Sequence, residues 1–359
     1  MTPRIVDHPS LSDFLASTCL DKYDNVRLNL VLGSLFQLTR ESEGTRESEP
    51  SEELEEKPDW NSQILVSVWE GEELRLLFTK IGTGQSRIGS PLPPSQLDTL
   101  VIPLLPALIS HLISLSTFST TPTAPSLLRT LVGSELLVLP FLALWPHPSE
   151  AQSNLNIYAC SIRQPPPLSP LPEGHSVSLV EIPKLSPSDL EGIANLVIGF
   201  LLGHPRSKAL TLEEAKENVR RQSLNGMWIY RGRTTSSPSD GPIVPLGLVN
   251  LGRPTPRTVA IRGVFVSPEA RGQGIAQRMV RSVVRTYLVD AKPDEFDSTF
   301  RLPLPRADPT TIYGRKEEVC LFVKVDGDVA RKLYKRIGFE ESEDVWGDFD
   351  LKNVESGGW

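Results

Sequence analysis

A chain of 359 residues with 39% apolar and 23% charged residues is too long for one ordinary domain and suits two. Its net charge of −7 is local: Glu41–Asp59 holds eight Glu, one Asp, one Arg and one Lys and carries all of it. The remainder is neutral, which predicts neither nucleic-acid binding nor a strongly basic substrate.

Cys19, Cys160 and Cys320 are far apart and odd in number, which excludes a disulfide framework and a thiolate metal site. A reducing compartment fits them, the cytoplasm first and the nucleus also compatible. The N-terminus has no apolar core of signal-peptide type. Leu100–Leu115 is apolar but short and carries Pro103 and Pro106, so a buried core helix is expected there and no membrane span.

Helix starts are marked where Ser or Thr accepts from a free backbone N–H and an acid three residues on reciprocates. The pairs are Ser10/Asp13, Ser95/Asp98, Ser186/Asp189 and Thr211/Glu214. The first predicts a helix from Ser10 that continues or restarts over Asn25–Thr39. The acidic run 41–59 cannot bury a core and is expected as a disordered insertion. Ile64–Trp69 and Leu74–Ile81 read as a hairpin turning at Glu70-Gly71-Glu72. Then come a helix over Ser95–Leu115, a strand over Leu127–Val132, a helix over Ser134–Trp145 and a strand over Leu155–Ile162. Gln164–Pro172 is too rich in proline for helix or central strand and reads as a hinge. Domains at 1–163 and 176–359 with a linker at 164–175 follow.

The second half reads as a strand (Ser178–Ile182), two helices (Ser186–Leu202, Thr211–Ser223) and a hairpin of Met227–Arg231 with Val244–Leu251. A strand (Thr258–Val266), a helix (Gln273–Val289), a strand (Val319–Val325) and a helix (Val329–Ile337) complete it. This is an α/β plan with a mixed sheet, and the two halves are consistent with distant copies of it.

The residues with the clearest chemistry are Val264-Phe265-Val266-Ser267-Pro268-Glu269-Ala270-Arg271-Gly272-Gln273-Gly274-Ile275-Ala276. A strand ends at Val266, and a helix starts beside Gly272–Gly274. Helix N-termini present free N–H groups and partial positive charge, and glycine lets a diphosphate approach them. The dinucleotide pattern G-x-G-x-x-G fails at Gln277, and no Gly-Lys-Ser/Thr follows for a nucleoside-triphosphate loop.

Arg271-x-x-Gly274-x-Ala276 after a Val-x-Val-x-Pro strand resembles the coenzyme-A pyrophosphate loop of the GNAT acetyltransferase superfamily. Ala330-Arg331-Lys332-Leu333-Tyr334-Lys335-Arg336-Ile337-Gly338-Phe339 resembles that superfamily's later Ala-x-x-Leu-Tyr-x-x-x-Gly-Phe motif. The likeness covers about Ser178–Leu351 and is greatest to a two-domain group whose N-terminal half is a degenerate copy of the fold. Leu248–Pro256 and Cys320-Leu321-Phe322 add to it, and Asp24–Leu30 agrees weakly.

The resemblance implies an acyl-CoA N-acyltransferase fold for the C-terminal domain, with acetyl-CoA as cosubstrate and no metal. It implies acetyl transfer by direct attack of a primary amine, on a small molecule or a peptide. Backbone groups of Val264, Phe265 and Val266 would pair with the pantetheine arm. The amides of Arg271, Gly272, Gln273, Gly274, Ile275 and Ala276 would hold the pyrophosphate. The strands Thr258–Val266 and Val319–Val325 would splay around the thioester, and Tyr334 would protonate the departing thiolate.

The chain departs from the family's pattern twice: Gly327 stands where many members have Asn, and Thr258–Val266 lacks a carboxylate. Glu318, Asp326 and the C-terminal carboxylate after Trp359 remain as candidate bases, with none assigned. A silent acyl-CoA-binding or protein-interaction module is the alternative these departures leave open. The segment 290–318, with Phe296, Arg301, Arg306 and Tyr313, is either an active-site lid or an insertion.

Overall fold

The computed structural model describes residues 3–19, 22–38, 63–81, 85–115, 128, 130–146, 151–167, 170–203, 209–233, 241–288 and 314–351, with backbone only at 151–155 and 350. The acidic run 41–59, the segment 290–313 and Trp359 lie outside the described residues. The chain forms two compact units. Met1–Cys160, Phe322–Asp328 and Glu341–Trp359 make the first, and Ser161–Leu321 with Val329–Glu340 make the second.

In the first unit the order is β1 (Arg4–Asp7), α1 (Leu11–Thr18), α2 (Val26–Leu38), β2 (Ile64–Glu70), β3 (Glu73–Lys80) and β4 (Ser86–Gly89). Then follow α3 (Pro94–Leu100), α4 (Leu105–Ser114), β5 (Thr130–Ser134), α5 (Glu135–Leu144) and β6 (Ala151–Ile162), whose last two residues belong to the second unit. β1 to β4 are antiparallel neighbours, and β4 pairs parallel with β5.

The second unit runs β7 (Ser176–Leu179), α6 (Pro187–Leu202), α7 (Leu212–Ser223), β8 (Met227–Gly232), β9 (Val244–Gly252), β10 (Thr258–Val266), α8 (Ile275–Leu288), β11 (Glu318–Lys324), whose last three residues belong to the first unit, and α9 (Asp328–Ile337), which belongs to the second from Val329. β7 to β10 are antiparallel neighbours, and β10 pairs parallel with β11. Along the chain one plan therefore runs twice: strand, two helices, three antiparallel strands, a crossover, a parallel strand, a helix and a strand, although the final strand of the second run lies in the first unit from Glu341. The sequence reading of an α/β fold with a mixed sheet holds.

The chain's last strand, β12 (Glu340–Leu351), was not expected from the sequence. It lies between β5 and β6 and belongs to the first unit from Glu341 on. Its antiparallel register runs from Trp346↔Ser134 to Asp350↔Thr130. This differs from a division that keeps everything after residue 176 in one domain.

The first unit's sheet is covered on both faces, which is why β2 is apolar at nearly every position. Val66, Val68, Phe78 and Leu131 pack with Leu97, Leu108, Leu137 and Phe141. Leu65 and Leu77 pack with Phe14, Leu28, Val31 and Leu32. The stretch Pro94–Ser114 is long and apolar enough to cross a membrane by length and composition. Here its Leu97, Val101, Leu105, Leu108 and Leu112 are buried in that core. In the second unit Ile193, Val197, Ala215 and Val219 of α6 and α7 close on Met227, Ile229 and Leu248 of the sheet.

Three of the four expected caps form. The Ser10, Ser186 and Thr211 side chains accept from Asp13, Asp189 and Glu214 amides, and Thr211 with Glu214 makes a full capping box. Ser95 does not cap. Pro94 presets helical φ at the first position, so α3 starts two residues earlier than a Ser95 cap would place it, with Pro93 at its cap.

Candidate functional site

The site of the second unit grows from β10. Its parallel register with β11 extends from Thr258↔Glu318 to Ile261↔Leu321. β10 itself continues to Val266, carried by β9 as far as Val266↔Gly247, with a shift of register between Ile261 and Gly263. A mid-strand glycine marks such a bulge. Past Ile261 the two parallel strands are no longer in register, so β10 presents the edge holding Val264, Phe265 and Val266.

Gly263 also lets α6 come close. A Cβ there would sit 2.6 Å from the Phe200 ring, and one at Gly199 would sit 2.7 Å from the Phe265 ring. Helix and strand thus exchange a phenylalanine for a glycine in both directions. The two rings meet edge to face at 6.4 Å.

After Val266 the chain turns through Pro268–Ala270, a short 3-10 segment that buries Ala270. Gly272 and Gly274 follow at φ of 78° and 73°, in the left-handed region where a side chain is strained. A Cβ on Gly272 would meet nothing within 4 Å, so the face of this turn is open. Arg271 is exposed, donates from Nε to the Val266 carbonyl at 3.2 Å and lies 5.7 Å above the Phe265 ring. Arg278 donates from Nη1 to the Gln273 carbonyl at 2.7 Å.

α8 then runs amphipathically, burying Ile275, Met279, Val280, Val283, Val284, Tyr287 and Leu288. Arg281 on this helix donates from Nη2 to the carbonyl of Arg336 at 3.2 Å, which fixes α8 to the end of α9. Tyr334 lies on α9, half-buried. The structure thus gathers Val264–Val266 and Arg271–Ala276 into one strand–turn–helix. It sets Tyr334 on a neighbouring helix of the same unit.

The candidate bases fare differently. Glu318 is buried and holds Arg163 at 3.1 Å, so its carboxylate is engaged. Asp326 is exposed, and the C-terminal carboxylate lies outside the described residues. Phe200, Gly263 and Arg278 were not singled out from sequence. Gly263 had a signal, a glycine inside a strand pattern. Among the described residues no group of three or more His, Cys, Asp and Glu could hold a metal.

No curated protein matches the chain significantly. Solved structures similar to it include a tandem GNAT protein from the clavulanic acid biosynthesis pathway, at 11% identity over 99% of this chain and 100% of that one, with a TM-score of 0.48. A GCN5-related N-acetyltransferase from Sphaerobacter thermophilus is 16% identical over 99% of this chain and 98% of that one, with a TM-score of 0.45. Another from Kribbella flavida is 12% identical over 91% and 96%, with a TM-score of 0.40. Residues 212–290 match the model of the acetyltransferase (GNAT) family. That segment runs from α7 to the end of α8 and contains the whole glycine turn. Over those residues the second unit is similar to the acetyltransferase (GNAT) family.

Proposed function

We propose that the second unit is an acetyl-CoA-dependent N-acetyltransferase acting on a primary amine of a small molecule or peptide. The observation that carries this reading is the turn Arg271–Ala276, open on its outer face, with two glycines in left-handed backbone at the start of α8 and inside the GNAT match. Consecutive amides in such a turn form a concave nest suited to a diphosphate, and the helix dipole adds to it.

Acetyl-CoA supplies an acetyl thioester, which an amine attacks directly. Residues Val264–Val266 offer backbone groups to the pantetheine arm along the edge that β10 presents past Ile261. Amides of Arg271, Gly272, Gln273, Gly274, Ile275 and Ala276 hold the pyrophosphate. A backbone N–H of β10 polarises the thioester carbonyl. Tyr334 gives its phenolic proton to the departing sulfur as the C–S bond breaks and the new C–N bond forms. A phenol of pKa about 10 facing a thiol of about 8.5 suits a transfer in which the proton is needed only as charge develops. No carboxylate stands on β10, and no base is assigned.

The first unit repeats the strand–turn–helix without its donors. Between β4 and α3 the sequence is Ser90-Pro91-Leu92-Pro93-Pro94, in which three residues have no N–H. The Leu92 amide is taken by the Ser90 hydroxyl at 3.2 Å. This unit is therefore a degenerate copy that binds no acyl-CoA.

Thermal unfolding of the full chain with and without excess acetyl-CoA tests the reading, beside Gly274→Glu. Ligand at a hundredfold over its dissociation constant stabilises by about 2.7 kcal/mol. A shift in the parent that disappears in the variant supports the proposed site. No shift at any concentration overturns it.

A further inference from the structure

We infer that Arg278, which lies outside the loop motif, is a positioning residue that keeps the glycine turn in its ligand-ready shape. The inference rests on the reading of that turn as the coenzyme-A diphosphate site. In a trans peptide the carbonyl of one residue and the N–H of the next point in opposite directions. Arg278 draws the Gln273 carbonyl toward itself with a 2.7 Å hydrogen bond. The Gly274 N–H is thereby turned to the opposite side, away from Arg278, where a ligand phosphate meets it. The next carbonyl is held too, since Gly274 accepts from the Arg278 amide at 3.1 Å.

The peptide between Gln273 and Gly274 needs such a brace. Glycines flank it on both sides of Gln273, and glycine crosses between positive and negative φ at little cost. Rotation of that single peptide plane would replace a donor with an acceptor in the nest, and an acceptor repels phosphate. The guanidinium lies beside Gly274, 3.7 Å from where its Cβ would be, so it also places positive charge next to the turn.

Arg278 is held from behind. Tyr230 on β8 is fully buried, and its hydroxyl meets His175 Nδ1 at 2.9 Å. Burial pushes the Tyr230 phenol up, and the charge and hydrogen bond of Arg278 offset part of that rise. The other arginines on this side of α8 serve other carbonyls, Arg281 that of Arg336 and Arg285 that of Pro166. Arg278 alone of the three reaches the turn.

The test measures coenzyme-A binding to the full chain by calorimetry for the parent, Arg278→Ala and Arg285→Ala, with hydrogen exchange on the ligand-free proteins. Arg278→Ala is expected to weaken binding about tenfold, the scale of one charge-assisted hydrogen bond. Amides of 271–276 should exchange faster in that variant, and Arg285→Ala, which removes the same charge farther along the helix, should stay within about twofold of the parent. Equal affinity of parent and Arg278→Ala overturns the brace and leaves the diphosphate site standing. An equal loss in Arg285→Ala also overturns it, because charge alone then accounts for the effect. A parent that does not bind coenzyme A overturns the site and the brace together. Should Arg278→Ala fail to fold, Tyr230→Phe removes the support from behind without changing charge. About threefold weaker binding is then expected, and unchanged binding overturns the inference.

Discussion

Phe339 packs edge-on against Tyr334, with ring centroids 5.7 Å apart, and its amide donates to the Tyr334 carbonyl at 3.0 Å. Gly338, at φ of 113°, donates to the Lys335 carbonyl at 3.1 Å. Together these close α9 as a Schellman motif with its hydrophobic contact. The spacing Tyr-x-x-x-Gly-Phe therefore ends the helix and orients the phenol at once. Tyr334→Phe keeps the ring contact and loses only the hydroxyl. It should unfold within about 2 °C of the parent, bind acetyl-CoA unchanged and lose about a hundredfold in kcat. Full turnover in this variant would show that another group protonates the thiolate.

Phe200 and Gly263 should be energetically coupled. Alanine at 263 would bring Cβ to 2.6 Å from the Phe200 ring, and the ring must move. Overpacking of this kind costs about 1–3 kcal/mol. Adding Phe200→Ala to Gly263→Ala should recover part of the loss, with a coupling above about 0.5 kcal/mol in a double-mutant cycle by urea unfolding. Strict additivity would mean that the ring does not press on the strand.

The first unit should lose stability in mild acid through His8. The Ser67 hydroxyl accepts from Trp69 Nε1 at 2.8 Å and meets His8 Nε2 at 2.7 Å, where its own hydrogen is available to a neutral imidazole. Burial holds the His8 pKa below its ordinary value against the opposing pull of Asp13 and Asp7. The unfolded chain takes up the proton first as pH falls through about 6.5. Stability is therefore level above that pH, declines below it and levels again under the folded-state pKa. His175 is shifted the same way by burial, Arg278 and Arg233. Urea midpoints at pH 8 and pH 5 should differ by less in His8→Gln than in the parent; an identical slope would count against the neutral His8.

Thr211→Ala removes one half of the capping box at the start of α7, the Oγ1 that accepts from the Glu214 amide at 3.3 Å, and leaves the other, the Thr211 amide donating to Glu214 Oε2 at 2.7 Å. A loss of about 1 kcal/mol is expected, or about 2–4 °C in Tm for a unit of this size. Thr211→Ser should lose little. If the alanine variant melts with the parent, the exposed cap contributes nothing measurable.

Ser10, Ser186 and Thr211 were legible as helix starts because a cap is a contact between residues three apart. The α8 stripe was legible because Ile275, Met279, Val283 and Tyr287 repeat with the helix and all are buried. β1 and β4 have four residues each, too few to show a period of two. β12 was hidden for another reason: five of its first six residues and two later ones are acidic or polar, and that reads as solvated loop. Burial of Asp344 and Asp348 among its neighbours shows in the folded unit alone. Gly327, where the family resemblance suggests Asn, stands in a turn whose backbone leaves a Cβ 3.0 Å from the Lys324 carbonyl.

Local chemistry thus determined the helix starts, the amphipathic helices, the β2–β3 hairpin and the glycine turn, because each depends on neighbours within a few residues. Tertiary structure decided where the last strand pairs, which brings Asp348 to Gln85 across 263 residues of chain. It also decided which side chains stand behind the glycine turn. Arg278, Tyr230 and His175 come from a helix, a strand and the residue before β7, and no periodicity or spacing along the chain records their meeting, since strand pairing and helix docking are long-range.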